Sequence, residues 1–232
     1  MTETTGRQVK DGLYGQFARI GKAVAHPKRI ELLDLLCQGE RSVEDLAKAA
    51  ALSVTNASAH LRVLREARLV ETRPEGTRVY YRLASESVCG MFFALRDLAA
   101  ERYAEVEMIV RDYFEARDQL EPVTREELVA RADDGTVVVL DVRPQEEYNA
   151  GHIPGAISVP LGELEDRLVA LPRDAEIVAY CRGPYCVLAP QALDVLRRHG
   201  FKARRLQDGL PEWRQAHLPV EADRPNRAAP RA

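Results

Sequence analysis

Apolar residues recur along this chain at two spacings, and each change of spacing marks a change of element. From Val9 to Val24, the residues Leu13, Phe17, Ile20 and Val24 recur at the spacing of one helix face. This helix is expected to pack on the next layer of its own domain. His26-Pro27 interrupts it, and proline suits the first turn of a new helix. Ile30, Leu32, Leu33, Leu35 and Leu36 supply that helix's core, and Gln38-Gly39-Glu40 ends it. Ser42 is placed to cap a short helix, with Asp45 completing a capping-box-like pattern. Ser53 caps another helix, Val54 to Ala67, with Ala57, Leu61 and Leu64 as its buried stripe. The period then becomes two: Val70 and Thr72 alternate against Val79, Tyr81 and Leu83 around a Pro-Glu-Gly-Thr turn, which predicts a β-hairpin. From Glu86 to Gln119 the helical period returns through Val88, Phe92, Leu95, Ala99, Tyr103, Val106, Val110 and Tyr113. At ~1.5 Å per residue that helix would be about 50 Å long. One small domain cannot bury such a stripe, so a seam with a second copy of the chain is expected.

Beyond a hinge at Glu121-Pro122, the stretch from Val123 to Leu128 predicts a helix start. Val137 to Val142 and Ile177 to Tyr180 are short apolar runs of buried-strand type. The second stops at Cys181, a Gly183-Pro184 loop follows, and Val187 to His199 predicts an amphipathic helix closed by Gly200. In this strand, loop and helix, loop amides and the helix N-terminus are expected to point at the Cys181 sulfur and favour thiolate, with Arg182 adding a cation. Cys181 is therefore the expected nucleophile and sulfur carrier. Cys186 is either its partner thiol or a small apolar filler. Asp141 and Arg143 are read as a structural salt bridge with Glu147 rather than as substrate contacts, and Trp213 as core.

Composition narrows the classes. A length of 232 residues fits two small domains better than one large one. With 33 Lys+Arg against 36 Asp+Glu, no global field advertises a nucleic-acid partner. Locally, Ser53 to Arg82 holds six arginines against three glutamates. Thr55, Asn56, Ser58, Ala59, His60 and Arg62 lie mostly on the outer faces of their helix, and small polar residues followed by Arg suit a helix entering a DNA major groove. Arg73, Arg78 and Arg82 on the hairpin are candidate phosphate contacts. No apolar run approaches the roughly 18 residues needed to span a bilayer, and Met1 to Lys10 lacks a signal-peptide core. A cytoplasmic location is expected, with the four cysteines reduced. The expected organisation is a disordered tail (1–8), a DNA-binding and dimerisation domain (9–119), a linker (120–124), an α/β domain (125–221) and a second disordered tail (222–232).

Helix, helix, recognition helix and hairpin wing form a winged helix-turn-helix. The stretches "HPKRIELLDLL", "SVEDLA" and "SAHLRVLREARLVETRPEGTRVYYRLA" resemble the ArsR/SmtB family of bacterial repressors. That resemblance implies a homodimer on a palindromic operator, released when a ligand or thiol modification is sensed. Arg68 departs from the glycine usual in relatives at the end of the recognition helix. Metal sensing does not carry over: Glu40 to Leu46 lacks the cysteines of arsenic-sensing members, and Glu86 to Gln119 has no histidine. Cys37 and Cys89 are secondary redox candidates, because persulfide-sensing relatives pair cysteines between comparable elements.

In the second half, "DVR…E-Y…GHIPGA" and "GLPEW…LPV" resemble the two signature stretches of the rhodanese family, whose reactive cysteine maps onto Cys181. The loop from Cys181 to Cys186, with Arg182, Gly183, Pro184 and Tyr185 between, has the six-residue length of sulfur-handling members. Many rhodaneses end this loop with Arg or a hydroxyl residue where this chain has Cys186, and Gly183-Pro184 also departs from the usual glycine placement. These departures raise a Cys181–Cys186 disulfide, or a persulfide passed between the two.

The expected fold is thus multidomain: a mainly-α winged helix-turn-helix followed by an α/β rhodanese domain with a parallel sheet. The expected function is a dimeric repressor of double-stranded operator DNA. Cys181 would accept sulfane sulfur from polysulfide, persulfide or thiosulfate and so change DNA affinity, with no cofactor, metal or membrane. Two alternatives stand beside it. One is a sulfurtransferase whose winged domain only dimerises or localises it; the other is an arsenate or tellurite sensor or reductase in which Cys181 attacks and Cys186 resolves.

Overall fold

The computed structural model describes residues 5–115, 121–133 and 136–222. The chain divides into two compact units, Met1–Leu98 and Ala99–Ala232. Of the tails expected at residues 1–8 and 222–232, residues 1–4 and 223–232 lie outside the described residues.

In the first unit, helix α1 (Gly6–Val24) begins inside the expected tail because Thr5 and Gln8 cap it reciprocally, each side chain accepting from the other's backbone N–H. Its periodic residues Val9, Leu13 and Phe17 are more than half exposed, and Ala23 is the residue it buries. The expected packing within its own domain therefore holds only for Val24 at the end of the stripe, which packs on the core of the first unit. Helices α2 (Pro27–Cys37), α3 (Val43–Ala49) and α4 (Val54–Glu66) start at His26, Ser42 and Ser53, each of which accepts a backbone N–H of the first turn. Leu32, Leu33, Leu46, Leu61 and Leu64 from these helices are fully buried together. Strands β1 (Arg41–Ser42), β2 (Val70–Glu75) and β3 (Arg78–Leu83) pair antiparallel in the order β1-β3-β2, with Thr72 opposite Tyr81.

Arg68 adopts φ 61°, and the Leu69 N–H reaches back to the Leu64 carbonyl at 3.0 Å. The helix thus ends in the left-handed turn that glycine usually supplies, at a cost of about 1 kcal/mol for the side chain. Helix α5 (Glu86–Arg102) stops at Tyr103, whose backbone is extended (φ −115°, ψ 106°), before α6 (Ala104–Val110) and a π-helical turn at Arg111–Glu115. The single long helix is therefore broken, and its expected end at residues 116–119 lies outside the described residues. Of the expected seam, Val88 and Phe92 are core residues of the first unit, whereas Leu95 and Tyr103 are exposed, as is Leu98, which the expected stripe did not include.

The second unit contains α7 (Arg125–Asp133), β4 (Val137–Asp141), α8 (Gln145–Ala150), β5 (Ile157–Ser158), α9 (Leu164–Arg167), β6 (Glu176–Tyr180), α10 (Leu188–Arg198), β7 (Ala203–Arg205) and α11 (Leu210–Gln215). The strands pair parallel in the order β5-β4-β6-β7. Val123, expected in a linker, is fully buried: its N–H donates to the Arg205 carbonyl at 2.7 Å, and its carbonyl accepts from Gln207 at 2.9 Å. Apolar cores lie on both faces of the sheet, so successive β6 residues are buried on opposite sides.

Candidate functional site

The alternation along β6 decides where the first thiol points. Val178 and Tyr180 enter one core, while Ile177 and Ala179 enter the other, and Cys181 continues the second set. Its residue is 2% exposed, and its sulfur lies 3.5 Å from the Cys186 carbonyl and 3.9 Å from that of Gly183. Burial, then the hydrogen bond and charge of Cys186, push the Cys181 thiol well above its ordinary value; the amides of Ala189 and Gly183 oppose this without winning. Cys186 is half-buried. The hydrogen bond from Cys181 holds its thiol below the ordinary value, helped by backbone donors at Arg182 and Leu188 and by the Arg182 charge, and opposed by burial. The expectation of an open, acidified Cys181 is corrected accordingly: Cys181 is buried and its thiol pKa is raised, whereas that of Cys186 is lowered.

The cation expected to serve the thiolate has another partner. Arg182 Nη2 and Nε lie 2.7 and 3.0 Å from Glu147 Oε1, and the Glu147 side chain is 1% exposed. The salt bridge expected of Asp141 and Arg143 exists, and the Glu147 charge also acts on Arg143. Arg143 Nε lies 2.9 Å from Asp141 Oδ1 and its Nη2 donates to the Gly151 carbonyl at 2.8 Å; the Tyr180 hydroxyl donates to Asp141 Oδ2 at 2.5 Å. Both charged side chains are fully buried. In the loop, Gly183 accepts the Cys186 N–H at 3.1 Å, Pro184 is half-buried and Tyr185 is exposed.

Two residues that the sequence reading passed over shape this loop. A methyl on Gly209 would lie 2.3 Å from Gly183 N and from the Arg182 carbonyl carbon, so only glycine lets the two backbones approach. Glu212 caps α11 by accepting the Gly209 N–H at 3.0 Å, and its carboxylate borders Gly183. The Asp-Gly-Leu-Pro-Glu stretch, a turn signal ahead of a short helix, was the available clue.

In the first unit, Thr55, Asn56, Ala59 and Arg62 are exposed along α4, and Ser58 is half-buried. His60 is also half-buried, with its ring 4.5 Å from that of His26. Burial, then His26, Arg29 and Lys28, lower its pKa. It is therefore part of the packing beside α2, and not simply a DNA-facing side chain. The hairpin arginines are matched by carboxylates: Arg73 by Glu40 at 2.8 Å and by Glu75, and Arg82 by Glu71 at 2.7 Å. Arg78 is exposed, and a hydrogen bond with Tyr80 raises its pKa. Cys37 and Cys89 form a disulfide with Cα atoms 5.7 Å apart, in a cluster with Phe92 and Phe93, so these two are not the reduced thiols expected. Among the described residues, no helix is long and apolar enough to cross a membrane.

A helical domain with a recognition helix and wing, followed by a parallel α/β domain carrying a cysteine loop, defines a two-domain DNA-binding regulator with a rhodanese-like module. The family profiles agree in detail. That of bacterial regulatory proteins of the arsR family matches residues 26–72, and that of the rhodanese-like domain matches residues 124–216. The chain is 49% identical over 216 residues to the HTH-type transcriptional regulator Rv0324 of Mycobacterium tuberculosis, covering 93% of this chain and 95% of that one. It is 30% identical over 92 residues to a sulfurtransferase of Allochromatium vinosum, covering 39% of this chain and 84% of that one. A solution structure of a homodimeric winged helix-turn-helix DNA-binding domain from Mycobacterium bovis is 46% identical, with a TM-score of 0.40, covering 44% of this chain and 93% of that one. The chain belongs to the ArsR family of transcriptional regulators and carries a C-terminal rhodanese domain.

Proposed function

We propose that this regulator is a repressor of operator DNA that works as a homodimer, and that sulfane sulfur accepted on its Cys181 loop alters its affinity for DNA. One observation carries the reading: Cys181 and Cys186, neither in a disulfide, share one short loop at the carboxyl end of β6, with the Cys181 sulfur 3.5 Å from the Cys186 carbonyl. A thiolate beside a thiol is equipped to take a sulfur atom from polysulfide, persulfide or thiosulfate and to resolve it. The exposed apolar residues of α1 (Val9, Leu13, Phe17) and α5 (Leu95, Leu98) support dimerisation, because so many large apolar side chains are rarely left in water. Exposed Thr55, Asn56 and Arg62 on α4, with the wing arginines, support DNA binding. The fusion keeps sulfur acceptor and DNA reader at high effective concentration.

The Cys37–Cys89 disulfide favours a second reading, in which the DNA-binding unit itself responds to oxidation. Mass spectrometry of the full-length protein after polysulfide treatment, paired with gel-shift binding to its own promoter, separates the two. Added sulfur or a new disulfide at Cys181 and Cys186, accompanying a change in binding, supports the first. A binding change that tracks only the redox state of Cys37 and Cys89 supports the second. Unchanged binding with Cys181 and Cys186 fully modified removes the sensing claim and leaves repression standing.

A further inference from the structure

We propose that the Cys181 loop takes sulfur from donors that end in S–H, hydropersulfides and hydrogen polysulfides, and not from the oxyanion thiosulfate. Glu147 sets this preference by holding the loop's arginine. The inference rests on the proposed sulfur-accepting loop, with Cys181 as the acceptor, and names its class of donor.

The loop Cys181-Arg182-Gly183-Pro184-Tyr185-Cys186 carries one cation, Arg182, and that cation is already matched. Its Nη2 and Nε lie 2.7 and 3.0 Å from Glu147 Oε1, and Nε lies 3.2 Å from Oε2. The Glu147 side chain is 1% exposed and that of Arg182 16%. Water screens such a pair little, so an incoming anion has to displace a buried carboxylate to reach the guanidinium. A second carboxylate borders the loop: a methyl on Gly183 would lie 3.4 Å from Glu212 Oε1. Pro184 has no N–H, and the Cys186 N–H is spent on the Gly183 carbonyl at 3.1 Å, so neither position donates to an oxyanion. The Cys181 sulfur itself faces the carbonyls of Cys186 and Gly183 at 3.5 and 3.9 Å. Those oxygens accept an S–H and repel sulfonate oxygens.

The two donors ask different things of this loop. With a hydropersulfide RS–SH, the Cys181 sulfur attacks the outer sulfur and bonds to it. The donor's S–S bond breaks, and RS⁻ takes the proton given up by Cys181 and leaves as RSH. Cys181 is oxidised to a persulfide as the donor's inner sulfur is reduced, and the outer sulfur passes across unchanged. The leaving group carries away no net charge. The same attack on thiosulfate expels sulfite, whose negative charge the loop must hold while the S–S bond breaks. Holding it takes a cation or amide donors aimed at that spot. Here the cation is taken, and the groups around the sulfur are acceptors.

Sulfur loading of Cys181 in reduced full-length protein, followed by peptide mass spectrometry, tests the preference with cysteine hydropersulfide and thiosulfate at equal concentration. The hydropersulfide should load Cys181, and thiosulfate less than a tenth as fast; equal rates would overturn the proposal and leave the sulfur-accepting function standing. Glu147→Gln keeps an oxygen that accepts from Arg182 and removes the charge. It should raise thiosulfate loading relative to hydropersulfide loading at least tenfold. A purely structural role for Glu147 would slow both donors together, and an unmoved ratio would overturn the assignment. Sulfate competition on the wild type decides the matter if that variant does not fold. A large excess of sulfate should leave hydropersulfide loading unchanged, and slowing would reveal an oxyanion site and overturn the proposal. Loading by neither donor would remove the sulfur-accepting function itself.

Discussion

The two cysteine pairs of this protein are built for different purposes. Cys37 and Cys89 lie 52 residues apart, join the end of α2 to the start of α5, and sit among Phe92 and Phe93. Cys181 and Cys186 lie on one short loop, neither in a disulfide, with the Cys181 sulfur against the Cys186 carbonyl. A bond closing the longer segment restricts the unfolded chain by about 4 kcal/mol in the chain-entropy account. The short loop gains far less from closure, so its geometry has to be held non-covalently. Buried ion pairs beside it do this: Asp141 with Arg143 and Tyr180, and Glu147 with Arg182. One pair staples helices, and the other is kept open and positioned to react.

The contrast can be broken at several points. The largest effect is expected from Asp141→Ala, which leaves the fully buried Arg143 without its carboxylate and should cost the second unit about 3–5 kcal/mol in denaturant unfolding. Cys37→Ser, measured on oxidised protein, should lower the stability of the first unit by up to about 4 kcal/mol. Cys186→Ser should cost about 1 kcal/mol, because Cys186 packs on the core of its unit but is only half-buried. If the two substitutions cost the same, the distinction between staple and reactive pair is lost. Gly209→Ala forces apart two backbones that approach within 2.3 Å of the added methyl. It should cost about 1–3 kcal/mol and slow alkylation of Cys186 by displacing Arg182. The smallest effect on folding is expected at Arg73, whose pairs with Glu40 and Glu75 are exposed. Arg73→Ala should leave unfolding unchanged, weaken binding to all DNA sequences alike, and lower the salt slope by about one.

Local periodicity makes much of this legible in the sequence. The caps at Ser42 and Ser53, the stripe of Ala57, Leu61 and Leu64, the hairpin and the parallel strands all follow from spacing within a few residues. Tyr103 escaped because the apolar period runs on through it, and one extended residue leaves no trace in the pattern. The inward turn of Cys181 is readable from its shared parity with Ile177 and Ala179, although a strand that ends at a Gly-Pro loop points toward exposure. The pairing of Arg182 with Glu147, 35 positions away, and of Cys37 with Cys89 depends on tertiary contact, to which a single sequence gives no local clue.

The account rests on the loop dithiol changing how tightly the protein holds DNA. Fluorescence anisotropy of full-length protein on its own promoter fragment, before and after polysulfide, tests this most directly when run beside the Cys181→Ser/Cys186→Ser double variant with Cys37 and Cys89 intact. We expect at least a tenfold change in affinity for the wild type and none for the double variant. An equal change in both proteins, or no change in a wild type whose loop is fully oxidised, would contradict it.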